Sequence, residues 1–182
     1  LRNDDVLSWY VKRFRVKQKF LFFPIIQKDQ DFRLLLENAL PVSKILEDTY
    51  HLEGRQVLLF VGRLIDIKNL FFLLDALALV VNRYPKVILL FVGDGDQRVA
   101  LERHAERNGL ADHVIFAGKK QGKDLYACYN VGQIFVLPSY YERFGAVVNE
   151  ALLAGCYTLC SSAAGAACLV NPLENGGVFF FH

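Results

Sequence analysis

From residue 57 onward the chain alternates short apolar runs with longer segments of mixed polarity, and that alternation predicts its elements. The runs Val57–Val61, Val87–Val92, Val114–Ala117, Ile134–Leu137, Tyr157–Cys160 and Val178–Phe181 have the length and near-continuous apolarity of strands buried on both faces. Between them, Leu70–Arg83, Gln97–Asn108, Asp124–Asn130, Ala146–Ala154 and Ala164–Val170 have helical spacing, with Gly109 and Gly155 placed to stop two of them. Strands and helices in this order form β-α-β units. The sequence therefore predicts an α/β fold, a Rossmann-like open parallel sheet with helices on both faces.

Upstream the pattern is less regular. Residues 4–16 predict an amphipathic helix, Phe20–Phe23 a short strand ending at Pro24, and residues 27–53 a connector. In the connector a helix from Phe32 to Ala39 is expected to end before Pro41, with a second short helix after Ser43. Lys12, Arg13, Arg15, Lys17 and Lys19 make the entry segment basic. Such a run is either a solvated face, the simpler reading, or a contact with anionic lipid.

Composition narrows the class without naming an activity. Hydrophobic residues make up 53% of the 182, and 21 Lys and Arg face 19 Asp and Glu, so neither disorder nor nucleic acid as a bulk electrostatic partner is implied. Cys128, Cys156, Cys160 and Cys168 lack C-x-x-C spacing, which fits a reduced, cytoplasmic compartment. The four histidines are scattered, and no metal site is expected. The longest apolar run, Leu70–Val81, is interrupted by Asp75 and is too short to span a bilayer. Leu1 in first place and the lack of any Met suggest a piece of a longer protein.

In open parallel sheets, ligands bind beyond the carboxyl ends of the strands. That rule gathers Gly62, Arg63, Lys68, Gly93–Gly95, Gly118, Ser139–Gly145 and Ser161–Gly165 on one rim. Arg63 and Lys68 are either a pair of surface charges or two cations able to neutralise a diphosphate. Gly93-Asp94-Gly95 follows a strand as a dinucleotide fingerprint would, but the third glycine position holds Arg98. Ser139 lies in no G-x-S-x-G elbow, which removes the support for a serine nucleophile.

Two carboxylates bracket the loop between Leu137 and the helix at Ala146. Glu150 sits in a segment otherwise apolar except for Asn149, and such a helix is expected to be buried. A buried carboxylate needs a partner, which is either a structural cation or the hydroxyls of a ligand. Were most of the interval helical, Glu142 and Glu150 would stand roughly 10–12 Å apart at 1.5 Å per residue. A helix N-terminus following a glycine-containing loop also offers backbone amides to an anion.

The ordered set Gly62-Arg63 with Lys68, Gly93-Asp94-Gly95, Leu137-Pro138-Ser139, Glu142-Arg143-Phe144-Gly145, Glu150-Ala151 and Ala154-Gly155 resembles the C-terminal half of the retaining, GT-B type glycosyltransferases. The E-x7-E element of that family falls on Glu142 and Glu150, and the match runs from about Val57 to Val178. Residues 1–25 are similar to the tail of the family's N-terminal domain. The resemblance thus implies a linker at 26–56 and a C-terminally truncated nucleotide-sugar-binding domain at 57–182.

It further implies that Arg63 and Lys68 hold the donor diphosphate and stabilise the leaving nucleotide without a metal or cofactor. Glu142 would orient the sugar, Glu150 the ribose, the amides of Phe144, Gly145 and Ala146 would meet the donor, and Gly62 and the loop after Gly118 would border it. The partners implied are a nucleotide sugar, an acceptor that is a glycan, lipid or protein, and the N-terminal domain of the same chain. A Gly-Gly pair followed by Glu is common in the family where this chain has Ala164-Gly165 and Cys168, which implies a remodelled donor loop. This piece alone is expected to bind donor weakly and not to turn over. The rival expectations are a non-catalytic nucleotide-binding scaffold of the same fold and a nucleotide-sugar epimerase.

Overall fold

The computed structural model describes residues 29–181; the helix expected at 4–16, the strand at Phe20–Phe23 and the basic run between them lie outside the described residues. The first described element is α1, Asp29–Tyr50, 22 residues in one helix. Its buried positions, Phe32, Leu36, Ala39, Ser43 and Leu46, recur at intervals of three and four and form one stripe. Pro41 does not divide it as expected. Proline has no N–H for the carbonyl four residues back, but tertiary contacts hold the helix through that point. Asn130 Nδ2 donates to the Leu36 carbonyl at 2.9 Å and to Ser43 Oγ at 3.0 Å, and Ser43 Oγ donates to the Ala39 carbonyl.

The strands are β1 (Gln56–Val61), β2 (Val87–Val92), β3 (Val114–Gly118), β4 (Ile134–Leu137), β5 (Tyr157–Ser161) and β6 (Gly176–Phe179). All pair in parallel, in the order β3-β2-β1-β4-β5-β6. Every residue of β2 is buried, as its unbroken apolar run requires. Phe60 and Phe91 are register partners on β1 and β2, and Phe116 of β3 stacks on Phe91 at 5.0 Å between ring centroids.

Helices α2 (Leu70–Val81), α3 (Arg98–Arg107), α4 (Lys123–Val131) and α5 (Ala146–Leu153) connect the strands. Parallel crossovers are right-handed, so a chain that winds outward from β1 to β3 and then returns to β4 must cover the two faces in turn. The packing agrees: α2 lies against α3, and α1 lies along α4 and reaches α5.

The last two elements differ from expectation. The helix expected at Ala164–Val170 is a 3-10 turn, Gly165–Leu169, and the closing strand begins two residues early at Gly176. Gly176 has the composition of a loop, but a Cβ there would lie 2.0 Å from the Thr158 carbonyl of β5, so this pairing requires a glycine.

Candidate functional site

Sheet order decides where the site can be. Strand β4 follows β3 in the chain but pairs with β1, so the direction of winding reverses between β1 and β4. At such a switch point the loops leaving the two strands diverge and open a crevice. Here those loops are 62–69 and 138–145, the segments that carry the expected site residues.

The first loop is tied to the next strand end. The Gly93 N–H donates to the Gly118 carbonyl at 2.9 Å, and the Leu64 N–H to the Asp94 carbonyl at 2.9 Å. A Cβ on Gly93 would fall 1.7 Å from the Gly62 carbonyl oxygen, so only glycine lets these backbones approach. The Gly93–Gly95 segment therefore supports loop packing. Lys68 ends a 3-10 turn, Asp66–Lys68, and Asn69 takes the left-handed conformation, φ 55°, that starts α2.

The two loops meet at Lys68 and Glu142, whose side chains form an ion pair in which the ammonium donates to Oε2. Their side chains are only 13% and 21% exposed, so solvent screens the pair weakly. The Tyr140 N–H donates to the Ile67 carbonyl at 2.9 Å and brings the loops together nearby. On its other side Glu142 forms a lone parallel bridge with Ala164: its N–H donates to the Ala163 carbonyl and its carbonyl accepts from Gly165. The loop containing the Ala164 and Cys168 departures thus rests on the backbone of Glu142. Cys168 itself is exposed.

Gly145 caps α5 at φ 86°, ψ 60°, a conformation that favours glycine. A Cβ there would press on Glu142 Cγ at 3.1 Å and Leu137 Cδ2 at 3.2 Å. One on Gly62 would lie 3.9 Å from Lys68 Cε. Gly62, Lys68, Glu142 and Gly145 are therefore neighbours in space, with exposed Ala146 opening the helix beside them. Phe144 is half-buried and its carbonyl accepts from Ala166. Gly118 is at the end of β3, on the far side of the Gly93 loop. Arg63 is exposed on the rim and makes no ion pair among the described residues.

Helix α5 departs from two expectations. Only Val148 and Ala151 are buried, and Glu150 is half-buried, because one stripe of the helix faces the sheet and the rest lies at the rim. Helical structure also begins at Ala146, so the approach from Glu142 is loop and bridge, and the helical estimate of separation does not apply. Glu150 accepts a hydrogen bond at 2.7 Å from the hydroxyl of Tyr129, which is fully buried on α4. Burial, reinforced by the neighbouring carboxylate, pushes the Tyr129 phenol well above its ordinary value and keeps it a donor.

Tyr129 escaped the sequence reading because it lies 21 positions before Glu150 on another helix. The available signal was chemical: a tyrosine next to Ala127 and Cys128 on a core face needs an acceptor for its hydroxyl. Two further buried polar atoms, Ser139 Oγ and Asn149 Nδ2, have no hydrogen-bond partner among the described residues. One stands just beyond β4 and the other next to Glu150.

Among the described residues no cluster of His, Cys, Asp and Glu could hold a metal ion, and no helix is long and apolar enough to cross a membrane.

The profile of the family described as Glycosyl transferases group 1 matches residues 43–182. A glycosyltransferase of Methanocaldococcus jannaschii, MJ1607, is 33% identical over 124 residues, which are 68% of this chain and 32% of that protein. The chain spans about a third of the length of the curated relatives it matches. Among solved structures, Anabaena Alr3699/HepE in complex with UDP aligns at a TM-score of 0.68 and 28% identity, over 76% of this chain and 38% of that one. A glycosyltransferase from Rickettsia africae aligns at a TM-score of 0.80 and 15% identity, over 96% and 47%, and shares the fold.

Proposed function

Because this chain belongs to the glycosyl transferases group 1 family, we propose that it is the donor-binding part of a retaining glycosyltransferase that moves a sugar from a nucleotide diphosphate to a glycan, lipid or protein. The observation that carries this reading is the meeting of Lys68 and Glu142 at the β1/β4 switch point, with Gly62 and the glycine-capped start of α5 beside them. That meeting places a cation, a carboxylate and the first unsatisfied amides of a helix around one crevice.

In the proposed role the Lys68 ammonium and the Arg63 guanidinium face the diphosphate. As the bond from the sugar to the diphosphate breaks, negative charge grows on the departing nucleotide, and these two cations lower its energy. Glu142, held by backbone bonds to the 163–165 segment on one side and by the Lys68 ion pair on the other, would receive hydroxyls of the transferred sugar. Glu150 would receive those of the ribose. The amides of Phe144, Gly145 and Ala146 would approach the donor, and the loop after Gly118 would border the base. This chemistry calls for no metal. A cytoplasmic protein that meets its acceptor through another domain suits the reading, and the UDP complex of the Anabaena protein supports a nucleotide donor.

Calorimetric titration with UDP, GDP and ADP and their sugars tests it. Binding of at least one, weakened about tenfold or more in Lys68→Ala, is expected; no binding by any of the six would refute it. Cys168, exposed where a glutamate is common in the family, favours a second reading as a nucleotide-binding scaffold. Measured transfer or donor hydrolysis in the presence of an acceptor domain excludes that reading.

A further inference from the structure

The donor reading leaves Tyr129 without a role, although its hydroxyl is committed to the carboxylate that would meet the ribose. The phenol is inaccessible to solvent, and its O–H donates to Glu150 Oε2 at 2.7 Å. Glu150 itself is half-buried on a helix at the rim. A buried donor on a second helix holds one of its oxygens toward the interior and so fixes the plane of the group.

Tyr129 is itself held. The ring of Phe32, fully buried on α1, meets it edge-on at 6.2 Å and meets Tyr126 at 5.5 Å. The next residue, Asn130, is tied to α1 through the Leu36 carbonyl and Ser43 Oγ. Helix α4 therefore carries the phenol on a scaffold that α1 locks from outside. This support comes from helices, α1 and α4, rather than from loops.

We infer that Tyr129 is a positioning residue that orients the Glu150 carboxylate toward the ribose hydroxyls of the donor, so that its hydroxyl sets discrimination for the ribose without touching the nucleotide. The inference rests on the donor-binding reading above and goes beyond it by one residue and one measurable specificity.

Tyr129→Phe keeps the ring against Phe32 and removes only the hydroxyl. The probes are whichever of UDP, GDP and ADP binds the chain, and its 2′,3′-dideoxy counterpart, with affinity read by calorimetry. The wild type is expected to prefer the ribose form by about tenfold or more, the range of one or two hydrogen bonds to a charged group. In Tyr129→Phe the preference is expected to fall to about twofold, while the dideoxy form binds as it does to the wild type. Glu150→Gln should show the same loss, and adding Tyr129→Phe to it should change little. A variant that weakens both probes equally, or neither, overturns the inference and leaves donor binding standing. If none of the three diphosphates binds the wild type, the inference falls together with the donor reading.

Discussion

Lys68 and Glu142, 74 positions apart in the chain, are joined by an ion pair that bridges the loops leaving β1 and β4. The contact turns two separate strand ends into one crevice wall. Its partners are mostly buried, so removing either strands the other in a poorly solvated place.

Lys68→Ala is therefore expected to lower both stability and donor affinity. The stability loss should be about 1–3 kcal/mol, within the range for a charged hydrogen bond of a partly buried pair. Denaturant unfolding measures it. The double variant Lys68→Ala/Glu142→Ala should lose less than the sum of the single changes, because the two share one interaction.

Gly145→Ala places a methyl group where the backbone is left-handed and where Glu142 Cγ and Leu137 Cδ2 lie at 3.1 and 3.2 Å. A loss of about 1–2 kcal/mol is expected from the backbone alone. The opposite exchange at half-buried Ala154, Ala154→Gly at the C-cap of α5, should cost less than about 1 kcal/mol. Comparing their thermal midpoints separates strain at the crevice from simple helix propensity.

The buried thiols make stability depend on alkaline pH. Burial pushes Cys128 and Cys160 up to about 12 and Cys156 up to about 11, from an ordinary 9.0. A proton held more tightly when folded stabilises the fold in full below the unfolded value, and that contribution is lost as pH rises toward the folded one. Between pH 9 and 10 each thiol should cost about 1 kcal/mol, which urea unfolding at the two pH values would measure. With Ellman's reagent at pH 8, exposed Cys168 should react at once and the other three only on unfolding.

Much of the fold was legible from residue 57 onward because β1, β2 and β4 are apolar runs of strand length between glycines and polar turns. The rim followed from the same reading, since strand ends point one way in a parallel sheet. What failed had physical causes. Pro41 predicts a break when only local bonding is considered, but the long contact of α1 with α4, and Asn130 in particular, outweighs it. Gly176 reads as a loop, though β5 leaves no room for a side chain there.

Helix α5 was expected to be buried because apolar residues surround Glu150. The structure gives it a narrow buried stripe and a rim position, which depends on sheet order. Sheet order also brings Tyr129 to Glu150 and Lys68 to Glu142. No periodicity in the sequence encodes which strand β4 will join, so the residue types were readable and their pairings were not.

In the proposed function the crevice between the ends of β1 and β4 receives the nucleotide diphosphate. Amide chemical shifts followed by NMR during titration with UDP, GDP and ADP locate the site directly. A binding nucleotide is expected to shift Gly62, Phe144, Gly145 and Ala146 together, and Lys68→Ala to weaken the response. Shifts confined to other surfaces, or a response that Lys68→Ala leaves unchanged, would contradict it.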